Sequence, residues 1–441
     1  MKPISLTLRT AFLLALSAAT APFAAADDWP RWLGASSDSH WKETGLLAKF
    51  PASGPKVTWR VPVRWGYSGP AVAAGKVFVM DYDINEGKPD ANPGGRTKIK
   101  GQERVRAFDS ATGKELWTHA YDAPYDLSFP AGPRCTPTVD GDHVYSLGAE
   151  GFLTCLTVAD GKPVWELDLK KEYKVESPIW GFASHPLVVG DLLIVKPGGD
   201  GTTAVALDKK TGKEVWRALT SKEPGYAPPV LINHGGKNQL IISHGEALNS
   251  LDPLTGKISW TVPFVPSYGM AIMAPRLAGD YLVMGGMGKK SIGLKLKPDQ
   301  TTPGIAWEGT PKIGLSPKNS TPVVDGDLIY GCDADGELRC FEAATGTRLW
   351  TSNAVLGSTP GSGTFFMVKA SPHWVLFNEL GELILADLTK EGYKETGRAK
   401  LLEPSSPGMG RSVVWTHPAF AEKSVFIRND RELIRVSFAA D

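Results

Sequence analysis

Aromatic and arginine side chains recur in the short segments that precede a repeated proline. Flat aromatic rings and guanidinium groups together could bind a planar anionic ligand, by stacking and by paired hydrogen bonds. Taken one at a time, such residues more often fill a narrow interior, and two histidines that share one repeat position are typical of a structural role. The candidate ligand-binding residues are Trp65, Tyr67, Arg134, Trp180, His185, Tyr268, Arg276, Arg411, Trp415 and His417.

The other residues that could do chemistry do not form a recognisable site. The eight histidines are scattered and contain no H-E-x-x-H pair, so the sequence predicts no zinc site. Asp81–Glu86 resembles the start of a calcium loop, but Glu86 stands where such a loop needs glycine and Asn92 where it needs a bidentate glutamate. No metal site and no catalytic residue is therefore predicted.

The four cysteines are Cys135, Cys155, Cys332 and Cys340. Two of them, Cys155 and Cys340, occupy the same position of a repeat, as expected of small buried apolar side chains. None is adjacent to another, and there is no C-x-x-C-H sequence for covalent haem. The sequence predicts four free, buried thiols.

A repeat positions these residues. The fullest copy runs from Ala107 to Trp117, and its tryptophan recurs at Trp165, Trp216, Trp260, Trp307 and Trp350, with intervals of 43 to 51 residues. That period is typical of a β-propeller. A Thr-Gly or Asp-Gly pair precedes five of the six tryptophans, and Pro303 stands at the glycine position before Trp307.

Each part of the repeat has a physical purpose. Glycine allows the positive φ of a tight turn, and an aspartate just before the turn can accept hydrogen bonds from its free backbone amides. The strand that follows then places a large indole ring between neighbouring blades. The structural docking residues predicted in this way are Trp59, Trp117, Trp165, Trp216, Trp260, Trp307 and Trp350.

A proline opens most units, as in Ser68–Val72 and Cys135–Val139, and each unit is predicted to contain four strands, A to D. Six full units, a degraded seventh from about Gly363 to Glu403 and a three-stranded eighth give an all-β, eight-bladed propeller. The isolated strand Val57–Val61 is predicted to complete the eighth blade and so to close the ring, because closure leaves no open edge. Residues 29–55 should then lie across the outside of this closure.

The A-x-D-x-x-T-G-x-x-x-W pattern resembles the tryptophan-docking motif of the pyrroloquinoline quinone (PQQ) repeat, or quinoprotein-like, β-propeller family. The resemblance covers nearly all of the chain after residue 26. It implies one of two functions. The first is a binding scaffold like the propeller subunit of the outer-membrane β-barrel assembly machinery, and the second is a quinoprotein dehydrogenase that oxidises alcohols or sugars with PQQ and Ca²⁺. Well-known alcohol dehydrogenases of this class carry two adjacent cysteines, which this chain lacks, so the scaffold is preferred.

The first 26 residues predict export. Lys2 and Arg9 precede and border an apolar run that ends in Ala24–Ala26, the arrangement of a secretory signal peptide cleaved near Ala26. The run is too short to span a bilayer, and no cysteine stands near the cleavage point for a lipid anchor. Residues 27–441 are predicted to form one periplasmic or secreted propeller domain.

Composition limits the partners. Without Lys2 and Arg9 the chain has 46 basic and 47 acidic residues, a net charge of −1, which gives no electrostatic reason to bind nucleic acid or an acidic membrane surface. A protein partner or a small ligand is expected instead. The single long insertion, Asp83–Gln102, is rich in glycine and proline and is interpreted as a flap.

Overall fold

The structure, a computed structural model, describes residues 27–440. The predicted signal peptide, residues 1–26, lies outside this range. Eight antiparallel sheets of four blade strands each form the ring. Within the described residues, helix is confined to the short α-helix Leu169–Tyr173 and the single 3-10 turn Ser267–Gly269. The predicted eight-bladed, all-β propeller is confirmed. Within residues 27–440, no helix has both the length and the apolar character needed to cross a membrane.

Strands A to D of the first four blades follow the predicted order. They are Ala71–Ala73, Lys76–Glu86, Thr97–Asp109 and Glu115–Asp122 in blade one; Thr138–Asp140, His143–Leu147, Phe152–Thr157 and Pro163–Asp168 in blade two; Leu187–Val189, Leu192–Val195, Ala204–Asp208 and Glu214–Ala218 in blade three; and Val230–His234, Lys237–Ser243, Ala247–Leu251 and Ile258–Pro263 in blade four.

The remaining blades repeat the pattern. Their strands are Arg276–Ala278, Tyr281–Gly286, Lys290–Lys295 and Gly304–Glu308 in blade five; Val323–Asp325, Leu328–Cys332, Leu338–Glu342 and Arg348–Ser352 in blade six; Phe365–Ala370, His373–Asn378, Glu382–Thr389 and Gly392–Lys400 in blade seven; and Ala419–Ala421, Ser424–Arg428 and Glu432–Ser437 in blade eight. A short strand, Tyr125–Leu127, adds to blade one, and a hairpin of Ser406–Gly408 and Arg411–Val413 precedes blade eight.

The N-terminal strand closes the ring as predicted. Val57–Pro62 pairs antiparallel with Glu432–Ser437 and supplies strand D of blade eight. Its Trp59 indole donates a hydrogen bond to the carbonyl oxygen of Ser110 in blade one, at 2.9 Å. The last blade is thereby joined to the first by the same kind of contact that joins the other blades.

The core lies between neighbouring blades. One apolar cluster, for example, combines Phe78 and Val105 of blade one with Val144 and Leu156 of blade two, all fully buried. The outermost strands alternate between exposed and half-buried residues, as in Glu115–Asp122, because only one of their faces meets a neighbouring blade.

The repeat tryptophans lie across the turn of the next blade. The indole N–H of Trp117 donates to the Val158 carbonyl oxygen at 3.2 Å, and that of Trp307 donates to the Ala343 carbonyl oxygen at 2.8 Å. A Cβ atom added to Gly161 would come within 2.5 Å of the Trp117 ring, so the glycine of the turn also makes room for the preceding blade's indole.

The prediction that residues 29–55 lie outside the closure is wrong for the first half of this segment. Trp29 exchanges two backbone hydrogen bonds with Val72, and the Trp41 amide donates to the Lys369 carbonyl oxygen. Residues 29–41 therefore lie along the inner strands, at one end of the central channel. Only the second half, around Leu46 and Phe50, packs near the closure, against Phe438.

Candidate functional site at the channel mouth

The connections from strand D to strand A and from strand B to strand C meet at one mouth of the channel. Here they enclose a cavity of about 210 Å³, which we call the mouth cavity. Its walls are mainly aromatic and apolar. They include Tyr67, Phe129, Trp180, Tyr226, Met270, Ile272, Met287, Met409 and Trp415, with Arg134 and Lys318 as the charged residues and His185 and His417 among the others.

Arg134 holds the wall of the mouth cavity together. Its guanidinium donates to the carbonyl oxygens of Trp180, at 2.9 Å, and of Phe129, at 2.7 Å, and also to those of Ser128 and Gly132. The guanidinium carbon lies 5.3 Å from the centre of the Tyr67 ring. Because four of its five N–H groups are used by the protein's own backbone, Arg134 offers a ligand its charge but no free pair of parallel N–H donors.

Two uncharged histidines lie at the inner end of the mouth cavity. The Thr136 amide donates to Nδ1 of His185 at 2.9 Å, which leaves the ring proton on Nε2. Burial lowers the pKa of His185 to about 3, and burial together with the nearby His185 lowers that of His417 well below its usual value. Both imidazoles are therefore neutral at pH 7.

Trp32 closes the channel behind these histidines. Its indole stacks on His185 and meets His417 edge-on. Trp32 is buried, with 8% of its surface exposed. The channel is therefore not open from one mouth to the other.

The carboxylate of Glu379 stabilises the rim. It accepts hydrogen bonds from Arg411 Nε and Trp415 Nε1, both at 2.8 Å, and from the Thr364 amide at 3.0 Å. Only 1% of Glu379 is exposed. Arg411 is thus paired within the protein, and Trp415 is fixed as one wall of the mouth cavity.

The structure brings six of the ten candidate residues together in the mouth cavity: Tyr67, Arg134, Trp180, His185, Trp415 and His417. Trp65 and Arg411 instead line a neighbouring groove between the insertion and the hairpin that precedes blade eight. Tyr268 stands on the rim with 75% of its surface exposed. Arg276 is buried at the other end of the channel, where it donates to the carbonyl oxygens of Ser37 and Asp38.

Sequence reasoning did not place Phe129, Met287, Met409 or Lys318 in the site. Phe129, Lys318 and Met409 come from connections between strand D and strand A that also carry a repeated proline, and Met287 comes from a connection between strand B and strand C. Their apolar or flexible side chains gave no chemical signal. Trp32 was also missed, although three tryptophans within residues 29–41 were a sign that this segment packs into the interior.

A second cavity, of about 580 Å³, lies at the opposite end of the channel. The Thr-Gly turns lie on that face and far from the channel axis, so the sequence predicts no enclosing walls for a small ligand there. That prediction is wrong, because Arg31, Trp32 and Asp38 of the N-terminal segment supply one wall and the inner strands of blades three to five supply the other.

The mouth cavity does not fit PQQ with Ca²⁺. Its lining includes no acidic residue, and the nearby Glu379 is already bonded to three donors. Among residues 27–440 no cluster of three or more His, Cys, Asp or Glu side chains could hold a metal ion. Calcium needs six to eight oxygen ligands, and a polyanionic quinone needs several free cationic donors, whereas Lys318 is the one lining cation whose donors are mostly free.

Comparison with known proteins gives two groups of relatives. The outer membrane protein assembly factor BamB of Yersinia pestis is 22% identical over 228 residues, which are 48% of this chain and 55% of that protein. The dehydrogenase subunit of a quinone alcohol dehydrogenase from Komagataeibacter europaeus is 28% identical over 173 residues, which are 34% of this chain and 22% of that protein. The chain thus spans about half, or less, of the length of these relatives.

The fold is shared with solved structures. The crystal structure of BamB from Moraxella catarrhalis matches with a TM-score of 0.56 and 16% identity, and the match covers 88% of this chain and 98% of that one. The sequence profile described as outer membrane protein assembly factor BamB matches residues 101–369, which is more than half of the chain. The chain therefore belongs to the family of PQQ-repeat propellers that this profile defines, that of the outer membrane protein assembly factor BamB.

Proposed function

We propose that this chain is a periplasmic scaffold that binds a protein partner during the assembly of outer membrane proteins. The observation that carries the proposal is the match of the BamB family profile to residues 101–369. The mouth cavity supports it, because its aromatic and methionine-rich walls resemble the centre of a protein interface more than a site for bond-breaking chemistry.

The alternative is a quinoprotein dehydrogenase, which the matches to quinone-dependent alcohol dehydrogenases favour. Those matches cover about a third of this chain and 22% of each dehydrogenase. Four of the five N–H donors of Arg134 are bonded to backbone oxygens, and the mouth cavity has no carboxylate in its lining. The residues at the mouth thus favour the scaffold.

The location forms part of the proposal. The apolar run between Arg9 and Ala24 would direct export, and residues 27–441 would then act in the periplasm as one unit. N-terminal sequencing of the protein from the periplasmic fraction should find a start near Asp27. An intact Met1 in the cytoplasmic fraction would contradict export.

Deletion of the gene in the source bacterium tests the function. We expect less folded β-barrel protein in the outer membrane, measured by heat-modifiable mobility in gels, and recovery when the gene is restored. In parallel, the purified protein is mixed with PQQ and Ca²⁺ and assayed by absorbance and by dye reduction with alcohols and sugars. Unchanged outer membrane composition together with dye reduction would replace the scaffold with the dehydrogenase.

A further inference from the structure

The mouth cavity has the size, wall chemistry and charge to hold one side chain of a partner protein. We propose that it binds an aromatic side chain, tryptophan before phenylalanine, from an extended partner segment with an acidic residue next to the aromatic one. This inference rests on the proposed function, because it names the part of the protein partner that is recognised.

The volume of the mouth cavity sets the size of its occupant. Pockets for drug-sized ligands and cofactors usually measure about 300–1,000 Å³. At about 210 Å³ the mouth cavity is smaller than this range, so it suits a single indole or phenyl ring better than a whole cofactor. Trp32, stacked beneath His185, closes the inner end and prevents a longer group from passing through.

The walls suit an aromatic ring. Tyr67, Trp180 and Trp415 offer ring faces and edges, and Met270 and Met287 offer thioethers, which make favourable contacts with ring edges. Aromatic anchors of this kind, held in a desolvated pocket, supply much of the binding energy at protein interfaces.

Two hydroxyl groups of the wall lack partners. Tyr67 and Tyr226 both line the mouth cavity, and neither hydroxyl oxygen has a hydrogen-bond partner among residues 27–440. Tyr226 is 3% exposed. Neighbouring groups cover both oxygens, so the ring must turn slightly towards the mouth cavity before a ligand can reach its hydroxyl. Because an unpaired buried hydroxyl is costly, a ligand that bonds to one of them after this movement would gain free energy. An indole N–H can donate to a tyrosine oxygen, whereas a phenyl ring cannot, so tryptophan is favoured.

The charge at the rim selects the neighbour of the aromatic residue. The ammonium group of Lys318 has one protein partner, the Ser362 hydroxyl at 3.1 Å, and keeps two donors. Arg134 adds positive charge, and none of the described lining residues is acidic. A carboxylate beside the inserted ring would therefore be attracted to Lys318.

The surface beside the mouth cavity can hold the flanking residues of such a segment. The connection that supplies Met270 also carries Val265 and Tyr268, which are 61% and 75% exposed. Met409, on the opposite side of the rim, is 42% exposed. These apolar groups extend the mouth cavity into a surface long enough for a few extended residues.

A peptide titration tests the inference. The probe is acetyl-Gly-Asp-Trp-Gly-amide with 5-fluorotryptophan, followed by fluorine NMR with the full chain after residue 26. We expect saturable shifts, with affinity at least about tenfold lower when the variant Ala183→Phe fills the mouth cavity. Ala111→Phe, an exposed alanine on a Thr-Gly turn outside the cavity, is the matched control and should bind normally.

Tyr226→Phe provides a second variant that keeps the fold. It removes a hydroxyl without a protein partner, so the stability of this variant should equal or exceed that of the parent. Its affinity for the tryptophan peptide should fall, whereas its affinity for the same peptide with fluorophenylalanine in place of tryptophan should not change. Lys318→Gln should weaken binding of the Asp peptide and leave an Asn peptide unchanged. Equal binding of an alanine peptide, or normal binding by both Ala183→Phe and Tyr226→Phe, would overturn the inference.

Two further measurements separate this inference from the proposed function. If PQQ with Ca²⁺ displaces the peptide, and if Ala183→Phe abolishes the binding of PQQ, the mouth cavity is a cofactor site and the inference is overturned. In the deletion strain, restoration of outer membrane composition by Ala183→Phe would overturn the inference and leave the proposed function standing. If Ala183→Phe and Tyr226→Phe fail to restore the outer membrane composition while Ala111→Phe restores it, both the inference and the proposed function are supported.

Discussion

The indole ring of Trp32 lies face to face with the imidazole ring of His185, with ring centroids 4.6 Å apart and an angle of 9° between the planes. His417 meets the same indole at 90°, with a centroid distance of 5.4 Å. His185 contributes to the cavities at both ends of the channel. This group of three rings therefore divides the channel in two, and a residue from before the first blade supplies its centre.

The stack should contribute strongly to stability. Trp32→Ala removes a buried indole, and such changes typically lower the free energy of unfolding by about 3–5 kcal/mol. Trp32→Phe keeps a flat ring over His185 and should cost less than half as much. Urea unfolding followed by circular dichroism measures both. A loss below about 1 kcal/mol for Trp32→Ala, as for ordinary surface changes, would mean that the N-terminal segment does not hold the channel closed.

The contact between each indole and the next glycine gives a second prediction. Gly161 has φ +70°, and an added Cβ would lie 2.5 Å from the Trp117 ring, whereas Gly141 has φ +56° and nothing within 4 Å. Alanine at either position bears the cost of a left-handed backbone, about 1–2 kcal/mol. Gly161→Ala should therefore destabilise the protein by at least about 1 kcal/mol more than Gly141→Ala. Thermal unfolding of the two variants compares them, and equal losses would contradict docking of Trp117 on the turn.

These contacts also show why the sequence predicted the fold so fully. Trp59 occupies the repeat position of a strand D, so the closure of the ring could be predicted from the motif alone. One contact differs from the predicted pattern: Trp260 donates to Gln239 of its own blade at 3.2 Å instead of to the next turn, and Pro303 stands in that turn where the other copies of the motif have glycine. A local motif encodes the contacts between neighbouring blades.

The site was only partly predictable, for a physical reason. Repeat position identified Tyr67, Trp180 and Trp415 because residues just before strand A converge on one mouth. Arg276 follows its repeated proline, Pro275, and is the first residue of strand A, so it lies farther along the channel, where the carbonyl oxygens of Ser37 and Asp38 hold it at the other end. The N-terminal segment has no repeat, so nothing in the spacing of residues could predict where it lies.

A repeat tryptophan gives the third prediction. Trp216 is 8% exposed, and its indole donates to the Pro253 carbonyl oxygen at 3.2 Å. Trp216→Ala should lower the free energy of unfolding by about 3–5 kcal/mol. Trp216→Phe keeps part of the packing and loses the hydrogen bond, which is worth about 1 kcal/mol. Urea titration separates the two effects, and a loss below about 1 kcal/mol for Trp216→Ala would show that the ring is not held between blades.

The cysteines should be chemically inert in the folded protein. All four are buried and none is in a disulfide within the part of the chain described. Burial raises the pKa of Cys155 to about 12 and that of Cys340 to about 11, so almost no thiolate is present at pH 8. A thiol reagent such as DTNB should react slowly with the native protein and with four thiols per chain in guanidinium chloride. Two or fewer reactive thiols under denaturing conditions without reductant would reveal a disulfide.

The last prediction concerns acid stability. The pKa of His185 is about 3 in the folded protein, against 6.5 for an ordinary histidine, so between these values the unfolded chain binds a proton that the folded protein does not. Stability is therefore fully present above pH 6.5 and falls as the pH is lowered. By pH 5 the loss from this group alone is about 2 kcal/mol, at 1.36 kcal/mol for each pH unit.

His185→Asn can still accept a hydrogen bond from the Thr136 amide but cannot be protonated. Its free energy of unfolding should thus drop by about 2 kcal/mol less than the parent's between pH 7 and 5, measured by urea unfolding at each pH. The comparison is made between pH values within each protein, since the variant also loses the stack with Trp32. An identical drop in both proteins would show that His185 takes up its proton in the folded state as readily as in the unfolded chain, which burial under Trp32 does not allow.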